Sequence, residues 1–170
     1  MPRTVPHQRP LYTPDERRRR DASRWTLVQG VLAPLQFLVF LVSLALVVRF
    51  LATGEGLAAA TASIVLKTSL LYAIMLTGSI WEKDVFGKYL FARPFFWEDM
   101  VSLLVLALHT AYLATWLFAL LEPRGQMLLA LAAYAAYLIN AGQFLIKLRA
   151  ARRTAANAPQ PADLLAGIAK

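Results

Sequence analysis

Four stretches of this chain are each long and apolar enough to cross a bilayer, and nothing constrains its fold more. They run from Trp25 to Val48, Gly56 to Ile80, Met100 to Leu121 and Gln126 to Ile146, where a hydrocarbon core about 30 Å thick asks about 20 apolar residues of a helix. The first run is too long for the apolar part of a secretory leader, and no small-residue cleavage pattern follows it, so it is expected to remain as a span. Of the 170 residues 58% are hydrophobic and 16% charged, against about 25% charged in a soluble domain. The two outer connections are short, so neighbouring spans must run antiparallel. The sequence therefore predicts an all-α polytopic membrane protein built as a four-transmembrane-helix antiparallel bundle.

The 18 lysines and arginines divide unevenly around these spans: fifteen lie before Trp25, in the connection 81–99 or after Ile146, while Arg49 and Arg124 occupy the other two connections and Lys67 lies inside the second span. The positive-inside rule then places both termini and the middle connection in the cytoplasm. The same clustering argues against reading the net charge of +8 as a nucleic-acid footprint. Residues 1–24, punctuated by Pro2, Pro6, Pro10 and Pro14 and ending in the run Arg17 to Arg20, are expected to be a flexible basic tail that anchors on anionic headgroups. The membrane domain follows over 25–148, and 149–170 is expected as a second cytoplasmic tail. With no cysteine in the chain, a disulfide framework, a cysteine-held iron–sulfur cluster, covalent haem attachment and thiolate catalysis are excluded together.

Helical periodicity collects polar residues onto one face of each span. Trp25, Gln29, Gln36 and Ser43 align in the first; Gly56, Ala60, Ser63, Lys67, Gly78 and Trp81 in the second; Glu98, Ser102, His109, Tyr112 and Trp116 in the third; Ala133, Ala136, Asn140, Gln143 and Lys147 in the fourth. Four such stripes imply one shared polar interior. Taken singly, the amides and hydroxyls are ordinary interhelical glue, each contributing about 1 kcal/mol or less. Lys67 is different, because a lysine near mid-bilayer costs about 2.5–3.5 kcal/mol. Its nearest acids in sequence, Glu55 and Glu82, lie 12 and 15 residues away, roughly 18 and 22 Å along a helix. It is either neutral or set to meet an anion. His109 is the one histidine within a span and cannot by itself supply two axial haem ligands; a structural, a metal-ligating and an acid–base role all remain open.

The middle connection, WEKDVFGKYLFARPFFWED from Trp81 to Asp99, carries seven charged and seven aromatic residues in nineteen positions. An interfacial aromatic belt accounts for the rings and the basic residues. It accounts less well for Glu82, Asp84, Glu98 and Asp99, which bracket the rings. Carboxyl groups partly desolvated at such an edge are candidates for general acids.

From Arg17 to Phe40 the chain reads RRRRDASRWTLVQGVLAPLQFLVF, and ATASIVLKTSLLY, GSIWEK, FFWED, LVLALHTAYL, QMLLALAAYAAYLINA and QFLIKLRAAR follow in order. These runs, from about Leu11 to Arg153, resemble the vinyl bacteriochlorophyllide hydratases of bacteriochlorophyll synthesis. The resemblance implies a hydro-lyase that adds water to the 3-vinyl group of chlorophyllide a or 3-vinyl bacteriochlorophyllide, giving a 3-(1-hydroxyethyl) group. It implies a magnesium tetrapyrrole and water as reactants, no separate cofactor, and residence in the bacterial inner (cytoplasmic or intracytoplasmic) membrane. A homo-oligomer, or contact with other pigment-biosynthesis enzymes, stays open. Asp84 and Arg93 depart from the family's pattern, which makes Asp84 a poor candidate for essential chemistry. No catalytic set carries over from the family, so the site rests on physical argument.

Protonating a pyrrole-conjugated vinyl group at its terminal carbon leaves a delocalised cation that water attacks, so the reaction needs an acid, a base with a positioned water and a flat apolar slot. Glu82 or Glu98 is expected to be the acid and the other carboxylate, or His109, the base, with Asp99 as a further member. Trp81, Phe96, Trp97 and Tyr112 are expected to line the slot, and Gln36, Asn140 and Gln143 to reach the substrate from the bundle. Lys67, Lys83 or Arg93 is expected to meet the free propionate, and His109 is alternatively a ligand of the substrate's magnesium. Two other functions compete: a non-catalytic pigment carrier or assembly factor, which needs the slot but no paired acids, and a small transporter, for which Lys67 is the best feature.

Overall fold

The computed structural model describes residues 11–156; the outer ends of both expected tails, 1–10 and 157–170, lie outside the described residues. Five helices follow one another: α1 Pro14–Ala22, α2 Arg24–Thr53, α3 Leu57–Phe86, α4 Phe96–Leu117 and α5 Pro123–Ala156. No strand occurs among the described residues. The last four are long and apolar enough to cross a membrane, as the sequence predicts, and they reverse direction at each connection.

Local chemistry explains the ends of these helices. Thr13 caps α1 through a reciprocal capping box with Glu16, and Pro14 occupies the first turn, where its missing N–H costs nothing. Ser23 closes α1 and caps α2, accepting from the Trp25 amide. Gly54 and Gly87 end α2 and α3 in the left-handed conformation, with φ of 76° and 79°, which costs little only for glycine.

At the middle connection the helices run past the apolar stretches. α3 continues past Ile80 to Phe86 and α4 begins at Phe96 rather than Met100, so the irregular connection shrinks to 87–95. Likewise α4 stops at Leu117, short of Leu121, while α5 starts at Pro123 and runs beyond Ile146 to Ala156. Apolar runs report bilayer thickness, whereas a helix continues while its polar groups find partners. Part of the stretch expected to be a flexible tail is α1, docked on the last turn of α3. Tyr12 stacks on Phe86 with centroids 5.8 Å apart, Arg19 Nε donates to Val85 O at 2.8 Å, and Ser23 Oγ donates to Asp84 Oδ2 at 2.9 Å.

The bundle is two antiparallel hairpins. In α2/α3, Ser43 bonds Ser63 and Gln29 Nε2 donates to Thr77 Oγ1; in α4/α5, Asn140 Nδ2 donates to Ser102 Oγ and Lys147 pairs with Glu98. α5 also packs on α2. Phe40 meets Tyr134 edge-on at 5.2 Å and Tyr137 at 5.0 Å. The four polar stripes do meet inside: Gln36, Ser43, Lys67, Ser102, His109 and Tyr112 are buried, while Leu27, Leu76 and Ile146 stand exposed. Such an inside-out distribution suits a lipid surround. Trp116 and Gly56 are exceptions, lying on the exterior.

Candidate active site

Three carboxylic acids converge where α3 ends and α4 begins. Glu82, Glu98 and Asp99 are only 5%, 6% and 4% exposed. Two are held by consecutive backbone amides of the folded-back connection: Phe91 N donates to Asp99 Oδ2 at 2.7 Å and Ala92 N to Glu82 Oε2 at 3.2 Å. Phe91 reaches this geometry at φ 60°, a left-handed conformation costly for a bulky residue and typical of backbone constrained by its surroundings. The Glu82 and Asp99 side chains lie within reach of each other. Two carboxyl groups so placed can bond directly only with a proton between them.

Glu98 is held differently. Lys147 Nζ donates to its Oε2 and to the carbonyl of Pro94, and the ammonium lies 5.0 Å from the Phe95 ring centroid. The cluster thus combines two neighbouring buried carboxyl groups with a third that is paired with a lysine.

Aromatic rings wall the cluster. Phe95, 2% exposed, packs with Val85, Trp81, Phe86 and Phe144. It stacks on Phe144 at 5.9 Å and meets Trp81 edge-on at 5.7 Å. Trp81 Nε1 donates to Thr26 Oγ1 at 2.9 Å, fixing its ring. Of the expected slot residues, Trp81 belongs to this wall, but Phe96 and Trp97, 43% and 70% exposed, face outward. The connection supplies Phe95 in their place, because the first turn of α4 sets which ring of the run points inward. Lys83 is exposed, donating to Gly87 O at 3.1 Å, and Arg93 is exposed beside the cluster. Sequence reasoning misses Lys147, Phe95 and Phe144 as site residues; the available signal for Lys147 is its place on the fourth stripe.

A second polar region lies deeper. Lys67 is fully buried, its ammonium 3.9 Å from the Tyr137 ring centroid. It has no carboxylate partner among the described residues, and the Tyr137 ring face stands where the sequence left a neutral amine or an anion-bound ammonium open. His109 is 1% exposed, its Nδ1 2.8 Å from the Val105 carbonyl. A carbonyl only accepts, so Nδ1 carries the proton and Nε2 keeps a lone pair. The imidazole packs 5.8 Å from the Tyr134 ring, and Ser43 bonds both Tyr134 and Ser63.

His109 stands 11 residues from Glu98 on α4, roughly 16 Å by helical rise. Lys67 stands 15 residues from Glu82 on α3, roughly 22 Å away. The expectation that the carboxyls share one reaction centre with His109 is therefore corrected: the polar stripes are continuous, but these residues occupy different levels. Asn140 and Gln143 lie between the two levels along α5, and Tyr112 lies farther along α4 than His109. A groove of about 840 Å³ lined by Leu57, Thr61, Val65, Trp116, Pro123 and Gln126 opens at the opposite end of the bundle, away from the acids. No group of three or more His, Asp or Glu side chains among the described residues is arranged to hold a metal.

The fold and site define a class: an all-helical membrane protein with a buried carboxyl cluster at one end of its bundle. The model of the 2-vinyl bacteriochlorophyllide hydratase family matches residues 12–150, and the chain belongs to that family. Two relatives bear the name 2-vinyl bacteriochlorophyllide hydratase. That of Cereibacter sphaeroides is 69% identical over 149 residues, 87% of this chain and 91% of the relative. That of Rhodobacter capsulatus is 65% identical over 153 residues, 89% of this chain and 88% of the relative. No solved structure matches. Membership makes the chain a hydro-lyase of bacteriochlorophyll biosynthesis, as its resemblance implies, rather than a carrier or a transporter.

Proposed function

We propose that this chain hydrates the vinyl group of a chlorophyllide-type magnesium tetrapyrrole at the Glu82–Glu98–Asp99 cluster. The group is 2-vinyl in the family's name and 3-vinyl in systematic numbering. The observation that carries the reading is the burial of Glu82, Glu98 and Asp99 together beside an aromatic wall, which suits two neighbouring carboxyl groups to share and deliver a proton.

The proton between Glu82 and Asp99 passes to the terminal vinyl carbon, forming a C–H bond and leaving positive charge on the adjacent carbon and the macrocycle. The negative charge left on the pair faces that cation across a water-poor site, where such an interaction counts for more than in solvent. Water attacks the cationic carbon, and Glu98, paired with Lys147, takes its proton; returning that proton to the pair closes the cycle. One H and one OH are gained, and nothing is oxidised or reduced. Phe95, Trp81 and Phe144 offer an apolar wall for the ring, and the exposed Lys83 and Arg93 suit its propionate. His109 is too enclosed between α4 and α5 to reach the substrate's magnesium without parting them.

All these groups come from one chain, so the reading needs no second copy and no other enzyme of the pathway. The basic excess around the middle connection supports a cytoplasmic site in the inner membrane, with both termini cytoplasmic. The test is turnover of chlorophyllide a in H₂¹⁸O by membranes carrying Glu82→Gln or Asp99→Asn. Each is expected to lose about 10²- to 10⁴-fold, the usual contribution of a positioned acid. Full ¹⁸O incorporation by both variants would sink the assignment.

A further inference from the structure

We propose that the bundle core holds a string of water molecules running from the carboxyl cluster to the Lys67–His109 level, and that this string supplies the water consumed in the reaction. The second clause rests on placing the reaction at the carboxyl cluster. The first stands on packing alone.

Tyr137, Asn140, Gln143 and Lys147 follow one another on α5 at steps of three or four residues and so share one face. Opposite them α4 presents Glu98, Ser102 and His109, tied in register by the Lys147–Glu98 and Asn140–Ser102 bonds. The Gln29–Thr77 and Ser43–Ser63 bonds set residue 36 of α2 opposite residue 70 of α3, less than one turn from Lys67. The four helices thus stack their polar groups as a column inside the membrane domain.

Lys67 Nζ, Gln36 Nε2, His109 Nε2, Asn140 Oδ1 and Gln143 Oε1 in this column are buried and bonded by no group among the described residues. Their chemistry identifies the occupant. Two are N–H donors; the imidazole lone pair and the two amide oxygens accept. An anion would satisfy only the donors, a cation only the acceptors, and an apolar group neither. Water does both, and a buried water makes about three hydrogen bonds. Successive levels are roughly 5 Å apart along the helices, close to the span of one water bonded at both sides. An ionisable residue within a span also ordinarily faces a water-filled cavity or a partner, and among the described residues Lys67 Nζ has no hydrogen-bond partner and lies against the Tyr137 ring.

Radiolytic hydroxyl-radical labelling of the full chain in lipid nanodiscs prepared in H₂¹⁸O reads trapped water directly, since radicals form from it in place. Tyr137 and Tyr134 are expected to take up ¹⁸O at rates near that of exposed Tyr89, while buried Phe50 does not. Gln143→Leu and Asn140→Leu, checked for unchanged thermal unfolding, are expected to lower labelling at Tyr137 and to reduce kcat by about tenfold with KM unchanged. Glu82→Gln is expected to lower turnover by about 10²- to 10⁴-fold and leave labelling intact. Tyr137 labelled no faster than Phe50 in the unmodified chain overturns the string. A labelled string with unchanged kcat in whichever of the two leucine variants folds overturns its role in supply. Undiminished turnover in Glu82→Gln removes the catalytic assignment and leaves the string standing.

Discussion

The carboxyl cluster and the Lys67–His109 level use the same kinds of residue and are bonded in opposite ways. In the cluster each acid has named partners: Glu82 has Ala92 N and Asp99, Asp99 has Phe91 N, and Glu98 has Lys147. At the deeper level Lys67 Nζ and His109 Nε2 meet no hydrogen-bonding group among the described residues. On the proposed reading, the bonded acids pass the proton and the unpaired groups behind them hold water. The difference follows from backbone: an irregular connection brings free amides to the first region, whereas helices have already spent theirs on their own ladders.

The sharpest way to break this comparison is to neutralise one group from each region. Glu82→Gln or Asp99→Asn is expected to cost about 10²- to 10⁴-fold in turnover, whereas Lys67→Met is expected to cost about tenfold or less and to leave folding intact, since it removes a buried charge. Equal losses from Glu82→Gln and Lys67→Met, measured side by side in the same membranes, would erase the distinction.

Stability gives the next contrast. Lys147→Met strands Glu98 as an unmatched buried charge and is expected to destabilise the protein by about 3–5 kcal/mol. Adding Glu98→Leu removes that charge and should restore most of the loss; thermal unfolding of the single and double variants in detergent measures both. Ser102→Ala, which removes one neutral hydrogen bond with Asn140, is expected to cost only about 1 kcal/mol in the same assay.

The smallest effect concerns how α1 is held against the cluster. Burial raises the Tyr12 hydroxyl above its ordinary 10.0, with nearby Arg20 opposing the shift. Its folded value therefore exceeds its unfolded one, so its contribution is complete below pH 10.0 and is lost as pH rises through the folded value. Limited proteolysis is expected to expose α1 in that alkaline window. Tyr12→Phe keeps the ring stacked on Phe86 and should shift the loss to higher pH; an unchanged alkaline profile would exclude Tyr12 from the docking.

Much of the fold is legible in the sequence because the bilayer imposes simple rules. Apolar length gives four spans, and the periodicity of Gln36, Ser43, Lys67, Ser102 and His109 gives the shared interior in which they are buried. The ends of α3 and α4 are not legible from hydropathy. They depend on Gly87 turning left-handed and on the Phe91 and Ala92 amides finding acids that the apolar count reads as loop. Phe95 rather than Phe96 or Trp97 becomes the inner wall because α4 starts at Phe96, and a run of aromatics does not reveal that phase. The levels of the site are hidden for a related reason: a helical stripe reports which face a residue occupies and not which residue opposite it stands at the same height.

Composition and periodicity by themselves determined a four-span bundle with a polar core, because burying polar groups together while exposing apolar ones to lipid is a one-dimensional pattern along each helix. The resemblance of the chain to its family determined the reaction. Only the tertiary structure decided that Glu82 and Asp99 are buried side by side, that Glu98 is matched by Lys147 across 49 residues, and that His109 and Lys67 lie too deep to join them. Those pairings depend on the register between helices and on one strained connection, both fixed by three-dimensional packing between residues far apart in the chain.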